Sequence, residues 1–325
     1  MQTLRTIVIA SVAIAVGPAA VAQEPEVQTS QVLKDQWFTG PLVAPSPALP
    51  KAGLFVIEPY VGLSFNTGNF EASGAHATGS NQARTASLFP LFEYAITDRL
   101  TIQTLPQINY AWNGTTTTRG IIGSDLPVDL KFRFLDAVPN TIIPSWTFSA
   151  GVSFPTGAYD KLGSSLEGQG TGVWYARQGT LLQWLVAAPG NHPLRIRLWG
   201  QLQEPLNDPT VRDLSIYNTE PGFRGVADPG ITATFGLSPE YGITQRWVLA
   251  TDIFGSYGGG PTVHGFYNGA FFNTSYGSTA SWAIAPAIEY NWSPRYGVIA
   301  GVQFNFAGHN TSSYVEPQVA VNIVF

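Results

Sequence analysis

The chain lacks cysteine, contains one methionine among 325 residues, and is charged at only 11% of its positions. Without cysteine there is neither a disulfide framework nor a lipid attachment point behind a cleavage site. The four histidines, His76, His192, His264 and His309, have no spacing that would gather them on a metal. His309 also lacks the matching serine two residues further on that a barrel phospholipase would need. We therefore predict no catalytic residue, no metal and no other cofactor.

Long apolar runs are also missing, except at the N-terminus. Residues 1–5 carry one positive charge, residues 6–16 are almost wholly apolar, and residues 20–22 offer a small-residue cleavage site. This pattern predicts a signal peptide over residues 1–22 that is cleaved after Ala22, in preference to an uncleaved anchor. No later stretch approaches 18 consecutive apolar residues, which excludes membrane-spanning helices.

The chain has few basic residues, which limits the kinds of partner that it can bind. Removal of residues 1–22 removes Arg5 and no acid, which leaves 15 basic and 21 acidic residues and a net charge of −6. This balance argues against a nucleic-acid partner. Aromatic residues make up 13% of the chain, a high share for an exported soluble protein with so few charges. Such a chain either packs a large all-β core or presents its apolar face to lipid as a closed barrel.

Alternation of apolar with polar or small residues begins at residue 54. In residues 100–112 one face would carry Leu100, Ile102, Pro106, Ile108, Tyr110 and Trp112, and the other Thr101, Gln103, Gln107 and Asn109. Such runs predict twelve strands that start near residues 54, 85, 100, 125, 145, 174, 193, 231, 247, 279, 297 and 315. A soluble β-sandwich also alternates, but its outer face would be polar. The fold class is therefore all-β, a transmembrane antiparallel up-and-down barrel of about 12 strands.

The connections alternate in length, as expected for an outer-membrane barrel. The long ones cover residues 68–84, 115–124, 158–173, 207–230 and 261–278, whereas most of the others are tight turns. Long outer loops and short periplasmic turns are typical of an outer-membrane barrel. An even strand count would return both termini to the periplasm. Residues 23–53, polar and then proline-rich, are predicted to form an extended periplasmic leader before the barrel of residues 54–325. The sequence leaves open whether this leader enters the pore.

One short phrase occurs three times, as EYAITDRL (93–100), EYGITQRW (240–247) and EYNWSPRY (289–296). We interpret it as the periplasmic corner of a hairpin. Tyr94, Tyr241 and Tyr290 would point outward into an aromatic belt, with the turn arginines at headgroup level. The glutamate before each tyrosine would point into the lumen.

Several segments resemble the outer-membrane family that is labelled by the MetA pathway of phenol degradation. They are SDLPVDLKFRFLD (124–136), GVSFPTG (151–157), WFTGPL (37–42) and ITDRLTI (96–102). The resemblance extends from about residue 37 to the C-terminus, and the shared motifs are structural, so no catalytic residue is carried over. It implies an outer-membrane channel or transporter that admits aromatic or other apolar compounds.

The polar strand faces predict a charged lumen divided into two arcs. The acidic arc comprises Glu58, Glu93, Glu240, Asp252, Glu289 and Glu316. The basic arc comprises Lys131, Arg133, Arg177, Arg195 and Arg197, with Asp129 the one acid among them. The arcs would either impose a transverse field that selects solutes or pair with each other and fill the lumen.

Five aromatic residues fall in one outer loop, residues 261–278. They are Phe266, Tyr267, Phe271, Phe272 and Tyr276. Because exposed loops rarely keep so many aromatics in water, we expect the loop to fold inward over the mouth. It would then form a vestibule for aromatic solutes, unless it simply packs on itself.

The sequence thus favours a Gram-negative outer-membrane channel for passive uptake of small solutes, with apolar or aromatic compounds preferred. Its partners would be outer-membrane lipid and a small-molecule solute, and its oligomeric state is left undetermined. The alternative is a closed, non-conducting barrel with a structural or adhesive role.

Overall fold

The computed structural model describes residues 31–79 and 83–325, so the predicted signal peptide and residues 23–30 lie outside the described residues. A short helix, α1 (Gln31–Asp35), precedes the strands, and two 3-10 turns occupy Ser165–Glu167 and Pro189–Asn191. The strands are β1 (Phe55–Phe70), β2 (His76–Ala77), β3 (Arg84–Thr97), β4 (Leu100–Thr104), β5 (Ile108–Asn113), β6 (Thr116–Thr117), β7 (Ile122–Gly123), β8 (Leu126–Leu135), β9 (Ser145–Phe154), β10 (Tyr175–Ala188), β11 (His192–Pro205), β12 (Thr210–Arg212), β13 (Phe223–Asp228), β14 (Thr232–Gly242), β15 (Trp247–Gly258), β16 (Thr262–Tyr267), β17 (Ala270–Ser275), β18 (Thr279–Ser293), β19 (Tyr296–His309) and β20 (Thr311–Val324).

The long strands close into one antiparallel barrel, which confirms the predicted fold class. The order around the wall is β1-β20-β19-β18-β15-β14-β11-β10-β9-β8-β4-β3, and β3 pairs back onto β1. Strands β4 and β5 are two parts of one barrel strand, so the barrel has twelve strands. Eleven predicted starts fall within one residue of the observed ones, whereas β20 begins at Thr311 instead of near 315.

Within residues 31–79 and 83–325, no helix has the length and hydropathy needed to cross a membrane.

The two faces of the wall differ as the alternation predicts. Large apolar side chains that point outward stay exposed, among them Ile102, Ile108, Leu130, Phe132, Leu198, Leu237, Leu249, Ile253, Trp282 and Ile288. Residues of the opposite phase are buried, including Glu93, Lys131, Arg197 and Glu289. An apolar exterior around a polar interior is the arrangement that a lipid-embedded barrel requires.

The repeated phrase marks one end of the barrel, which we call the turn end. Tight turns join β3 to β4, β14 to β15 and β18 to β19 there. Aromatic rings cluster on the outer surface beside these turns: Trp247 lies 4.7 Å from Tyr290, and Trp292 stacks on Tyr296 at 6.4 Å between ring centroids. Such a belt is typical of a membrane interface.

The opposite end, the loop end, carries a second sheet built from two long loops. Its strand order is β12-β13-β16-β17. The hairpin β16–β17 turns at Asn268 and Gly269, both with positive φ, which is the conformation that a two-residue hairpin turn needs. The outer loops are therefore ordered by their own hydrogen bonds and core.

Candidate transport lumen

Residues 39–46 of the leader lie inside the barrel. Residues 36–50 form neither helix nor strand, and their backbone bonds to buried wall residues. The Thr39 amide donates to Glu289 Oε2 at 2.7 Å, and the Val43 and Ala44 amides donate to the two carboxylate oxygens of Asp252 at 3.0 and 3.1 Å. An irregular segment at this depth needs such partners because unpaired backbone groups are costly away from water.

Two aromatic residues of the WFTGPL motif contact arginines of the barrel near the turn end. The Phe38 ring lies 4.1 Å from the Arg195 guanidinium carbon, and the Trp37 ring lies 6.0 Å from that of Arg246. Both contacts have the geometry of cation–π interactions. The Trp37 amide also donates to the Gln245 carbonyl at 3.3 Å. The motif thus anchors the leader where it enters the lumen.

Small side chains on the facing wall make room for the leader. Leu42 packs in a buried cluster with Tyr60, Ala250, Ala285, Ile299 and Ala320. At Gly297 an added Cβ would lie 2.0 Å from Thr39 Oγ1, and at Gly301 it would lie 2.8 Å from Leu42 Cδ1. The sequence did not predict this space. The missed signal is the run of inward Ala and Gly positions, which leaves volume for a second chain segment.

The predicted basic residues lie beside acids on nearby strands. Lys131 Nζ is 2.7 Å from Glu93 Oε1 and 3.1 Å from Gln103 Oε1. The Arg177 guanidinium donates two hydrogen bonds to the Asp129 carboxylate, from Nε to Oδ1 at 2.9 Å and from Nη2 to Oδ2 at 3.2 Å. These groups are therefore engaged in local pairs.

The densest charge cluster joins β11 and β14. Arg195 binds both carboxylate oxygens of Glu240, with 2.6 Å from Nε to Oε2, and Arg197 Nε lies 3.4 Å from the same Oε2. Arg197 also donates to Gln183 at 3.2 Å and to the carbonyl of Ala44 in the leader at 3.2 Å. The cluster therefore links the wall to the leader.

The other predicted lumen residues, Arg133, Glu316 and Glu58, lie in three different surroundings. Arg133 lies at the turn end, where it contacts Asp136 at 2.9 Å and the Asp98 carbonyl at 2.8 Å. Glu316 accepts from Gln318 at 2.8 Å. Glu58 is buried, and within the described residues its Oε1 has no hydrogen-bond partner.

A cavity of about 160 Å³ remains between the leader and the wall. Leader residues 39–46 form one side, and the apolar part of the wall side comprises Tyr60, Phe89, Leu91 and Leu105. The rings of Tyr60 and Phe89 stack at 5.2 Å between centroids. An apolar cavity of about 150 Å³ is large enough to hold benzene, so this one matches a solute with a single ring.

Charged and polar side chains line the same cavity. Asp129, Arg177, Arg197 and Glu58 line it together with Gln201. Arg177 is paired with Asp129, and Arg197 is held by Gln183 and Ala44. With its cations already bonded, the cavity favours an uncharged solute over an anion.

The sequence led us to expect that the aromatic loop, residues 261–278, folds inward over the mouth of the barrel. Three of its five rings instead pack within the loop-end sheet. Tyr267, Phe272 and Tyr276 pack on a buried core of Val211, Tyr217, Phe223, Ala227 and Val263 within the loop-end sheet. Phe266 and Phe271 remain 56% and 70% exposed. The loop therefore packs mainly on its neighbouring loop, and two of its rings face solvent.

An ion pair ties two further outer loops together. The Arg119 guanidinium donates to both carboxylate oxygens of Glu167, at 2.7 and 2.9 Å, and the Gly163 amide donates to the same carboxylate at 2.8 Å. Hydrogen bonds from the Arg119 guanidinium and the Gly163 amide lower the pKa of Glu167 to about 2. This contact keeps residues 158–173 close to the loop before β8.

No group of three or more His, Asp and Glu residues in the described ranges is arranged to hold a metal ion.

Comparison with known proteins identifies the fold. No protein-family model matches the chain, and no curated protein matches its sequence, so the resemblance to the MetA-pathway family stays a prediction. The structure is similar to the COG4313 outer membrane channel from Pseudomonas putida F1, with a TM-score of 0.66 and 14% identity over 87% of this chain and 100% of that one. A TodX monoaromatic hydrocarbon channel mutant matches with a TM-score of 0.44 and 12% identity, over 86% of this chain and 92% of that one. The NanC porin matches with a TM-score of 0.41 and 10% identity, over 82% and 98%. Similarity at such low identity shows the fold alone.

Proposed function

We propose that this chain is an outer-membrane channel for passive uptake of small uncharged solutes, with apolar or single-ring aromatic compounds preferred. The supporting observation is the cavity of about 160 Å³ between leader and wall, which combines benzene-like volume with a partly apolar lining of Tyr60, Phe89, Leu91 and Leu105. The apolar exterior supports the membrane location. The name of the similar channel from Pseudomonas putida F1 agrees with a transport role.

The leader explains how such a channel would be selective. Its residues 39–46 line the cavity, and its backbone bonds to Glu289, Asp252 and Arg197, so the cavity matches a small ring. An anion that entered would have to give up its water shell beside cations that are already paired. Selectivity for small uncharged solutes then follows from the volume and from the paired cations.

The test is uptake of radiolabelled toluene by cells whose outer membrane carries the protein. Those cells should take up toluene faster than cells without it. Leu91→Trp, which fills the cavity, should abolish the difference. Leu88→Trp is the matched control, since Leu88 lies on the same strand but points outward and is 39% exposed.

A closed, non-conducting barrel is the alternative. The paired lumen charges and the ordered loop-end sheet would suit it equally well. Equal uptake by cells with and without the folded protein would favour this reading and contradict the channel.

A further inference from the structure

The loop-end sheet has one buried face and one exposed face. Val211, Phe223 and Val263 point to the same side of the sheet and lie in its buried core. Residues of the opposite phase point away from that core, and among them Arg212 and Arg224 are exposed. This second face is therefore open to a molecule from outside the chain.

Four residues form one row across the exposed face, which we call the Arg–Phe row. Arg212 lies opposite Arg224 on the neighbouring strand, and Arg224 lies opposite Phe266. Phe266 in turn lies opposite Phe271, and their two rings pack edge to face with 6.0 Å between centroids. With about 4.8 Å between neighbouring strands, the row is about 14 Å long.

The two arginines of the row have no acid to balance them. Residues directly opposite each other in an antiparallel pair have Cβ atoms about 4.5–5.5 Å apart, and like charges there destabilise the sheet. Within residues 31–79 and 83–325, neither guanidinium group forms an ion pair or a hydrogen bond. Asp213, which follows Arg212 in the chain, already accepts from the Gly222 amide at 2.9 Å. A bound anion would remove the repulsion, and the guanidinium fork matches the oxygens of a phosphate group.

The two phenylalanines extend the row with an apolar surface. Phe266 and Phe271 are 56% and 70% exposed and lie beside the turn of the β16–β17 hairpin. Exposed apolar groups that lie together are typical of a binding surface. The C–H face of a sugar ring can pack on such rings, while its hydroxyl groups reach His264 and Asn273, the exposed polar pair that follows on the same face.

The row lies beyond the rim of the barrel. Asp228 and Thr262 are the ends of β13 and β16 that adjoin the barrel strands β14 and β15. Arg224 and Phe266 are four residues further along these strands, which corresponds to about 13 Å. Long loops of an outer-membrane barrel face the outside of the cell. The row therefore stands outside the apolar band of the wall, where the saccharides of outer-leaflet glycolipids extend.

We propose that the Arg–Phe row binds the phosphorylated saccharide of an outer-leaflet glycolipid. The guanidinium groups of Arg212 and Arg224 hold the phosphate group, and the rings of Phe266 and Phe271 pack on the sugar that carries it. The two positive charges complement one phosphate monoester, which carries a charge of about −1.5 to −2. Free phosphate offers nothing to the two rings, so the two sources of the anion can be told apart. The site does not depend on the transport activity.

Binding of a water-soluble fragment tests the site without the other contacts that whole lipid makes with a barrel. The probe is the phosphorylated core oligosaccharide that mild acid releases from lipopolysaccharide, titrated calorimetrically into the full-length protein in phospholipid nanodiscs. Arg212→Gln with Arg224→Gln should weaken binding about tenfold or more, because charged hydrogen bonds to the phosphate are lost. Phe266→Ser with Phe271→Ser should weaken it about threefold or more.

The matched control is Arg84→Gln with Arg295→Gln. It removes two exposed arginines that lie outside the loop-end sheet, so the net charge changes equally while the row stays intact. Its affinity for the oligosaccharide should equal that of the wild type. If the control loses as much affinity as the arginine variant of the row, the effect is one of net charge, and the site is overturned.

The other outcomes decide between the possible occupants of the row. The dephosphorylated oligosaccharide should bind about tenfold more weakly than the phosphorylated one. No binding by the wild type, or equal binding by the wild type and the arginine variant, would overturn the proposal. If inorganic phosphate binds as tightly as the oligosaccharide and the phenylalanine variant is unchanged, the row holds only an anion, and the saccharide is overturned. A dimer in detergent that the phenylalanine variant loses would assign the row to a second copy of the chain instead.

Discussion

At the scale of single residues, the interior of this barrel is organised by buried charges that find partners on neighbouring strands. Glu240 is fully buried between Arg195 and Arg197, and Lys131 is buried against Glu93. Alternation along the strands predicted that these residues share the inner face. It did not predict the pairs, because pairing depends on strand order, register and height in the barrel, none of which a single strand encodes.

Loss of Glu240 should be far more costly than loss of Glu316. Glu240→Leu leaves two buried guanidinium groups without their acid, a change that typically costs about 3–5 kcal/mol. Glu316→Leu serves as the control, because Glu316 is only half-buried and accepts from Gln318. Urea unfolding from lipid vesicles should give the larger drop in the free energy of unfolding for Glu240→Leu. Equal losses would contradict the assignment of the cluster as the main charge contact in the lumen.

At the scale of elements, the leader is the part of the chain whose role the sequence left open. Its composition predicted an extended segment, and residues 36–53 form neither helix nor strand. Its path through the lumen depends on acceptors that the barrel supplies, above all Asp252 and Glu289. The leader and the inward Ala and Gly residues of β18 and β19 are complementary, although they are more than 200 residues apart in the chain.

Asp252→Ala should loosen the leader. The change leaves the Val43 and Ala44 amides without acceptors, and each buried unpaired donor costs about 1–3 kcal/mol. A cysteine placed at Ala44 should then react faster with a membrane-impermeant thiol reagent, and channel openings in a planar bilayer should become more frequent. Glu316→Ala is the matched control, since none of its described contacts reaches the leader. An unchanged reaction rate in the Asp252 variant would show that other contacts hold the leader.

At the scale of the whole molecule, the protein is a barrel with an apolar exterior, a polar interior and a second sheet at its loop end. The exposed apolar side chains surround the wall, the aromatic belt lies at the turn end, and the loop-end sheet has a core of its own. This arrangement sets the depth of each outward residue in a bilayer. Depth, in turn, sets what a charge would cost at that position.

The lipid face can be mapped with two arginine substitutions. Leu237 lies in the central part of β14, and Ile243 lies just beyond its end, and the two are 43% and 42% exposed. Leu237→Arg should lower the free energy of unfolding from lipid vesicles by about 2–4 kcal/mol, and Ile243→Arg by about 0–1 kcal/mol. Similar costs at both positions would mean that the apolar band is not embedded as proposed.

The sequence by itself determined the barrel, its strand count, eleven of its twelve strand starts and the alternation of inward and outward side chains. These features depend on local alternation and turn chemistry, which are encoded residue by residue. The tertiary structure alone decided which charges pair, that residues 39–46 of the leader occupy the lumen, and that the aromatic loop joins a separate sheet. Each of these depends on bringing distant segments to the same height and side of a closed sheet, where small changes in register would produce different neighbours.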